Sequence, residues 1–411
     1  MRISRLAVTV IACIMLAGCA AKNVVFFEAP REIRADGTRI FIDAFGSAYP
    51  RDGMLLPDDA DLPGGSLKDY LTRGAAPACL VALEGSQTRA LCDAETDDAW
   101  RTAQQAIWQS AAAQIVAESG AAQGNADIVF LVHGFNNDFA ASSRSFATAR
   151  RWLTPLANPE RRQYFVSVHW DGFTSPFPPR IWGRAQASGP LVGFGMRPML
   201  NALADDPGLD EDTTLRFLTH SSGAFVLGAA FGDPAATLPE LRSPDNPEYR
   251  FFAAHAGAEG GPYRVPQFEN LRIGMLAAAT SSDTFADAQN IGQGFLSRGA
   301  QLLLAVNPHD GTLAKRGLGA DFPLSGATGL GANRLYFCRV LRTDAGLAAR
   351  KVNVVAYDFD RTDTAMADRK SSHDFADYLE QAADHSTFLA DFMSVQPVER
   401  AEEATRLCQG T

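Results

Sequence analysis

Residues 127–132 read Asp-Ile-Val-Phe-Leu-Val and run directly into His133-Gly134. A run without polar alternation has no side to offer to water, so it fits a strand covered on both faces, as in parallel sheets. Residues 164–170, 215–220, 271–278, 301–306 and 352–357 read as further strands. Helical patterns lie between most of them, one over 139–156 and another from Ser222 onward. That alternation predicts an α/β architecture, a mostly parallel, doubly wound sheet with helices on both faces. Residues 39–45 alternate apolar and polar as a half-buried strand does, 80–83 (Leu-Val-Ala-Leu) read as a short strand, and 46–78, rich in Pro, Gly and Asp, read as loop. Trp100, Ala103, Ile107, Ala111 and Ile115 recur at near-helical spacing, so 97–119 is expected to be an amphipathic helix opening near Asp97 or Asp98. Two stretches read as insertions, a cap-like one at 172–209 with Phe173, Phe177, Ile181, Trp182 and several prolines, and a loop-like one at 232–268.

The first residues read as an address. Arg2 and Arg5 precede an apolar run over 6–15, too short to span a bilayer, and then come Leu16-Ala17-Gly18-Cys19. Small residues at that place fit a cleavage site, and the cysteine after them resembles the lipobox of bacterial lipoproteins. The resemblance implies a signal peptide over 1–18, acylation of Cys19, a tether over 19–38 and one domain over 39–411. Ala20 stands where an acidic residue often retains such proteins at the inner membrane, which points to the outer membrane, facing the periplasm. A plain secretory signal with a chance cysteine is the alternative.

Of six cysteines, Cys13 leaves with the signal and Cys19 carries lipid, so Cys79, Cys92, Cys338 and Cys408 remain. Four cysteines in an oxidising compartment allow three pairings. Cys79–Cys92 would close a short loop and Cys338–Cys408 would pin the C-terminal tail; four unpaired buried thiols are the alternative. No Cys/His pattern suggests zinc, and no cofactor is expected. With 37 basic against 47 acidic residues, the net charge of −10 argues against a nucleic-acid partner.

The chemistry centres on Thr219-His220-Ser221-Ser222-Gly223, between an apolar strand and a helical run. A sharp strand–turn–helix holds a serine in a strained conformation with its oxygen above the sheet, beside the N–H groups of a helix start. Small residues two before and two after the serine let strand and helix approach; Gly223 satisfies one place, and Thr219 departs from the usual glycine at the other. Ser221 is therefore the expected nucleophile, with Ser222 as its rival and a capped helix start as the bland reading. His133-Gly134-Phe135-Asn136-Asn137 is the second element. An acyl-transfer site needs N–H donors for a developing oxyanion, and the expected pair are the backbone N–H groups of Phe135 and Ser222. A tight βα turn without chemistry is the alternative.

Together VFLVHGFNNDF, VHWDG and LTHSSG resemble a bacterial group of esterase- or lipase-like α/β hydrolases of uncharacterised function, over roughly residues 128–393. The resemblance implies the α/β-hydrolase fold and a Ser, then an acid, then a His in chain order. Asp310, in a loop after the 301–306 strand and shortly before Leu313, matches the acid position, with Asp283 as the alternative. His385, in His-Ser-Thr-Phe, matches the family's ending and is the expected base, with His373 as the alternative. His133, His169 and His220 precede the acid and read as packing and hydrogen-bonding residues. Asp358, Asp360 and Asp363 read as solvated loop acids rather than a calcium site, and no metal is expected. The expected function is hydrolysis of a small-molecule or lipid acyl ester by a membrane-anchored protein. An envelope-lipid transacylase or thioesterase, or a catalytically dead lipoprotein scaffold, are the alternatives.

Overall fold

The computed structural model describes residues 37–52, 66–72, 76–121, 126–175, 182–210, 212–232, 261–280, 299–313, 338, 352–359, 372–384, 386–398 and 408. The lipobox with Cys19, Asp283, His385, Asp360, Asp363 and most of 232–268 lie outside these residues. In chain order come β1 (Thr38–Ile42), α1 (Leu67–Thr72), α2 (Pro77–Val81), α3 (Gln87–Cys92), α4 (Asp97–Ser119), β2 (Ala126–Val132) and α5 (Phe139–Leu153). There follow β3 (Arg162–Trp170), α6 (Trp182–Gly195), α7 (Arg197–Ala204), β4 (Thr214–His220), α8 (Gly223–Phe231), β5 (Leu271–Leu276), β6 (Gln301–Val306) and β7 (Asn353–Asp358). The last two helices are α9 (Phe375–Asp384) and α10 (Phe388–Met393).

Seven strands form one sheet in the order β1-β3-β2-β4-β5-β6-β7, and all six pairings are parallel. Every residue of β2, β4, β5 and β6 is buried, as strands of a parallel sheet covered on both faces are, and the buried Arg216 of β4 is paired with Asp127 of β2. The two-residue period then divides β2 between two cores. Ile128, Phe130 and Val132 join one with Trp108, Phe217 and Val226; Val129 and Leu131 join the other with Phe146, Leu303 and Phe388. With helices on both faces of a doubly wound parallel sheet, this is an α/β-hydrolase-type fold.

The chain leaves β2 for β3 on one side and returns to place β4 on β2's other side. Where strand order reverses, the loops at the strands' C-terminal ends part and leave a crevice, the usual ligand site of open α/β sheets. The HGFNN loop follows β2 and Ser221 follows β4, so both flank that crevice.

Residues 182–204, within the stretch read as cap-like, form α6 and α7 in the helical layer. α6 crosses α8 so closely that a Cβ on Gly193 would meet the Val226 carbonyl oxygen at 2.0 Å, and one on Gly189 would meet Phe225 Cβ at 2.8 Å. Glycine is needed there for close approach of two backbones. Phe173, expected among the aromatics of a cap, is buried against Ala44 and Phe135.

The strand expected at 80–83 is absent. Pro77–Val81 is a helix, and Leu80, Val81 and Leu83 are exposed. The disulfide explains the choice, since Cys79 is joined to Cys92 at the end of α3, and a single helical turn directs Ala78 and Cys79 inward and the leucines outward. Cys338 is joined to Cys408, so both expected pairings form. Among the described residues no helix is long and apolar enough to cross a membrane.

Candidate active site

β4 ends at His220, and Ser221 takes φ +54°, a left-handed conformation that L residues other than glycine seldom adopt. Neighbouring backbone holds it there. The Ser221 N–H donates to the Leu276 carbonyl at 3.0 Å, and its own carbonyl accepts from Ala279 N–H at 3.1 Å. Between those two anchors Ala277 also has positive φ, at +49°. The turn after β5 therefore grips the turn after β4 and fixes where the serine oxygen points.

Thr219 fits the elbow because its side chain is used. Its hydroxyl donates to the Val132 carbonyl at 3.2 Å, tying β4 to the end of β2. Its bulk fills the space over Gly223, where an added Cβ would stand 2.0 Å from Thr219 Oγ1 and 2.9 Å from the His133 carbonyl oxygen. Close packing at this junction thus rests on one glycine and one threonine in place of two small residues.

The imidazole against Ser221 belongs to His373. Its Nε2 lies 2.7 Å from Ser221 Oγ and its Nδ1 lies 2.7 Å from Asp310 Oδ2. His385, the expected base, lies outside the described residues, and the ring found here is the one named as its alternative. His373 stands just before α9. Tyr378, in the second turn of the same helix, donates its hydroxyl to Asp310 Oδ2 at 2.7 Å, so α9 reaches the acid twice from its N-terminal end.

Asp310 has no exposed surface, yet its carboxylate is fully served. Oδ1 accepts the N–H groups of Thr312 and Leu313 at 2.9 and 2.8 Å, while Oδ2 faces Tyr378 and His373. An ionised carboxylate only accepts, so Nδ1 of His373 must carry the proton in that pair. A neutral ring then has a bare Nε2, and Ser221 is left to donate its hydroxyl hydrogen to it. Burial and the Asp310 charge push the Tyr378 phenol well above its ordinary range, so it remains a donor. The His220 ring packs against those of His373, Phe375 and Tyr378, with its centroid 4.9 Å from that of His373.

The HGFNN loop is built from the other end. Trp170 N–H donates to His133 Nε2 at 3.0 Å, so Nδ1 holds the ring's hydrogen and donates to the Gly134 carbonyl at 2.6 Å. Asn137 Nδ2 donates to the same oxygen at 3.1 Å. Pinning that carbonyl turns the other side of the peptide, the Phe135 N–H, toward β4. It reaches the Ser222 hydroxyl oxygen at 2.7 Å. The expected oxyanion donor Phe135 thus ends on Ser222 Oγ, while no acceptor among the described residues takes the Ser222 N–H. Gly134 is a further close approach, since a Cβ there would lie 2.9 Å from Ser221 Cβ.

No family model matches this chain, and no curated protein does. The site's meaning therefore rests on its own geometry. Ser221, Asp310 and His373, from the loops after β4 and β6 and the turn before α9, converge in one hydrogen-bonded chain. Among the described residues no cluster of side chains is arranged to hold a metal ion.

Three further histidines near these loops are packed neutral, as their positions at strand ends suggested. Burial lowers His133 to about 4 and is the largest cause that puts His169 and His220 well below 6.5. Each takes up its proton in the unfolded chain before the folded one, so stability is lost as pH falls below 6.5. Asp43 has the opposite sign: burial raises it to about 7, against backbone N–H donors that lower it, so it favours the fold as pH falls from 7 toward 3.8. Each group changes stability by about 1.4 kcal/mol per pH unit inside its window, and three groups outweigh one. The urea midpoint is expected to be lower at pH 5 than at pH 7; an equal or higher midpoint at pH 5 contradicts neutral packing of these rings.

Proposed function

We propose that this protein is a serine hydrolase that cleaves carboxylic esters through an acyl-enzyme. The observation that carries the reading is the unbroken chain of hydrogen bonds Ser221–His373–Asp310 at the rim of the sheet. Serine is a poor nucleophile until a base removes its proton, and His373 Nε2 stands where that proton leaves. Asp310 holds the imidazole in the tautomer that accepts and stabilises the cation formed by proton transfer. Ser221 then attacks the acyl carbonyl, and the carbonyl electron pair moves to oxygen beside the Ser222 N–H. His373 returns the proton to the departing alcohol, and water, activated by the same ring, releases the acid.

Asp310, itself without exposed surface, accepts four hydrogen bonds. That organisation favours the enzyme over a scaffold with a dead site, because a buried carboxylate aimed at an imidazole has no structural need of the serine beyond it. Envelope-lipid acyl transfer or thioester cleavage would use the same groups, with an alcohol replacing water or a thiol leaving. We propose in addition that Cys19 is acylated and holds the protein at the outer membrane, facing the periplasm, which would set its substrates among small or lipid acyl esters of the envelope. The lipobox-like Leu16-Ala17-Gly18-Cys19 supports that placement.

A fluorophosphonate probe and a p-nitrophenyl ester test the enzyme together. Wild-type protein is expected to be labelled and to turn over the ester, and Ser221→Ala to do neither while remaining folded. Folded wild-type protein inert to both favours the scaffold.

A further inference from the structure

We propose that the Ser222 hydroxyl is itself an oxyanion donor, polarised from behind by the Phe135 N–H. The inference rests on the hydrolase reading and deepens it. Ser222 is the first residue of the turn into α8, a position where a serine oxygen ordinarily caps the helix by accepting an N–H two or three residues on. Here it makes no such cap. Its oxygen is instead committed to Phe135, 87 residues away, at 2.7 Å. A hydroxyl that accepts in this way still has its own hydrogen to give. Ser222 is fully buried, and among the described residues nothing accepts either that hydrogen or the Ser222 N–H.

Two unspent donors on one buried residue need an explanation, because buried polar hydrogens are ordinarily paired. Both belong to the residue directly after Ser221, and the loop that supplies Phe135 lies so close to Ser221 that a Cβ added at Gly134 would stand 2.9 Å from its Cβ and 3.5 Å from its Oγ. The acceptor that satisfies them is the negative oxygen formed when Ser221 attacks a carbonyl. The Phe135 N–H, held by the pinned Gly134 carbonyl, then acts through Ser222: a hydroxyl that receives a hydrogen bond donates a stronger one. No bond is made or broken at Ser222; it supplies a hydrogen bond that strengthens as charge develops.

The test compares wild type, Ser222→Ala and Ser222→Cys in ester turnover and in inhibition by a trifluoromethyl ketone, which forms a tetrahedral oxyanion on the nucleophile. Loss of one such donor elsewhere lowers kcat by about 100- to 1000-fold. Release of the Phe135 N–H offsets part of that, so Ser222→Ala is expected to lower kcat by about 10- to 100-fold, weaken the ketone by the same factor and leave KM unchanged. Ser222→Cys, with a weaker donor of similar shape, is expected to fall between, and it alone is read if the alanine variant does not fold. Unchanged or faster turnover with unchanged ketone affinity in either variant overturns the proposal and makes the hydroxyl a filler of the oxyanion site. Wild-type protein without turnover or labelling is a different result, which removes the hydrolase reading and this inference with it.

Discussion

Replacing His373 with Gln is expected to lower kcat by roughly 10⁴- to 10⁶-fold, whereas His385→Gln leaves the rate where it is. The amide of Gln can occupy the ring's place and keep a hydrogen bond to Asp310, but it cannot take a proton from Ser221. The loss therefore measures base catalysis rather than collapse of the site. KM is expected to change little, since neither nitrogen of His373 is placed to bind ground-state substrate. The paired variants, assayed with one ester and checked for an unchanged melting temperature, decide between the two late histidines. Loss of activity in His385→Gln with retention in His373→Gln would mean that the bond between His373 Nε2 and Ser221 Oγ is not the working one.

Gly223→Ala is expected to destabilise the fold by about 3 kcal/mol and to abolish turnover. The added methyl would stand 2.0 Å from Thr219 Oγ1, and 2.9 and 3.1 Å from the carbonyl oxygens of His133 and Val132. Backbone on one side and a β-branched side chain on the other leave it nowhere to go. The same distances predict coupling. In Thr219→Gly/Gly223→Ala the nearest clash is gone and the backbone must yield by only a few tenths of an ångström. The double variant is expected to recover about half of the lost stability, although it gives up the Thr219 bond to Val132. Urea unfolding of Gly223→Ala, Thr219→Gly and the double variant reads this directly, and strictly additive losses would show that Thr219 does not fill the space over Gly223.

Much of this arrangement is legible in the sequence because it depends on local pattern. The continuous apolar runs at β2 and β6 leave no polar face, so they belong inside a parallel sheet, and both strands are wholly buried. Ser221 is legible because strand, serine and Gly223 are contiguous, and its positive φ follows from that junction. Asp310 is legible as a loop acid after a strand. The missed features depend on distance along the chain. A histidine has no neighbourhood that marks it as a base, and the order Ser-Asp-His admits both His373 and His385. The signal that favours His373 is its place two residues before an amphipathic helix carrying Tyr378, which becomes meaningful only once that tyrosine is seen to share Asp310. The Phe135–Ser222 bond joins residues 87 apart and leaves no trace in either motif. At 80–83 four apolar residues looked like a strand, and the Cys79–Cys92 bridge, together with a proline at the first helical position, wins over that local preference.

Thr219 is instructive in the other direction. As a bare motif it weakens the elbow, since the usual residue there is glycine. In the fold its hydroxyl is bonded and its bulk is matched to Gly223, so the departure is a compensated packing solution.

The most direct measurement is the identity of the residue that a fluorophosphonate modifies in the intact, folded protein, found by digestion and mass spectrometry. Phosphonylation of Ser221 oxygen alone, lost in His373→Gln, is the predicted result. A folded protein that carries no adduct, or carries it on Ser222, would contradict the claim that His373 and Asp310 make the Ser221 hydroxyl reactive.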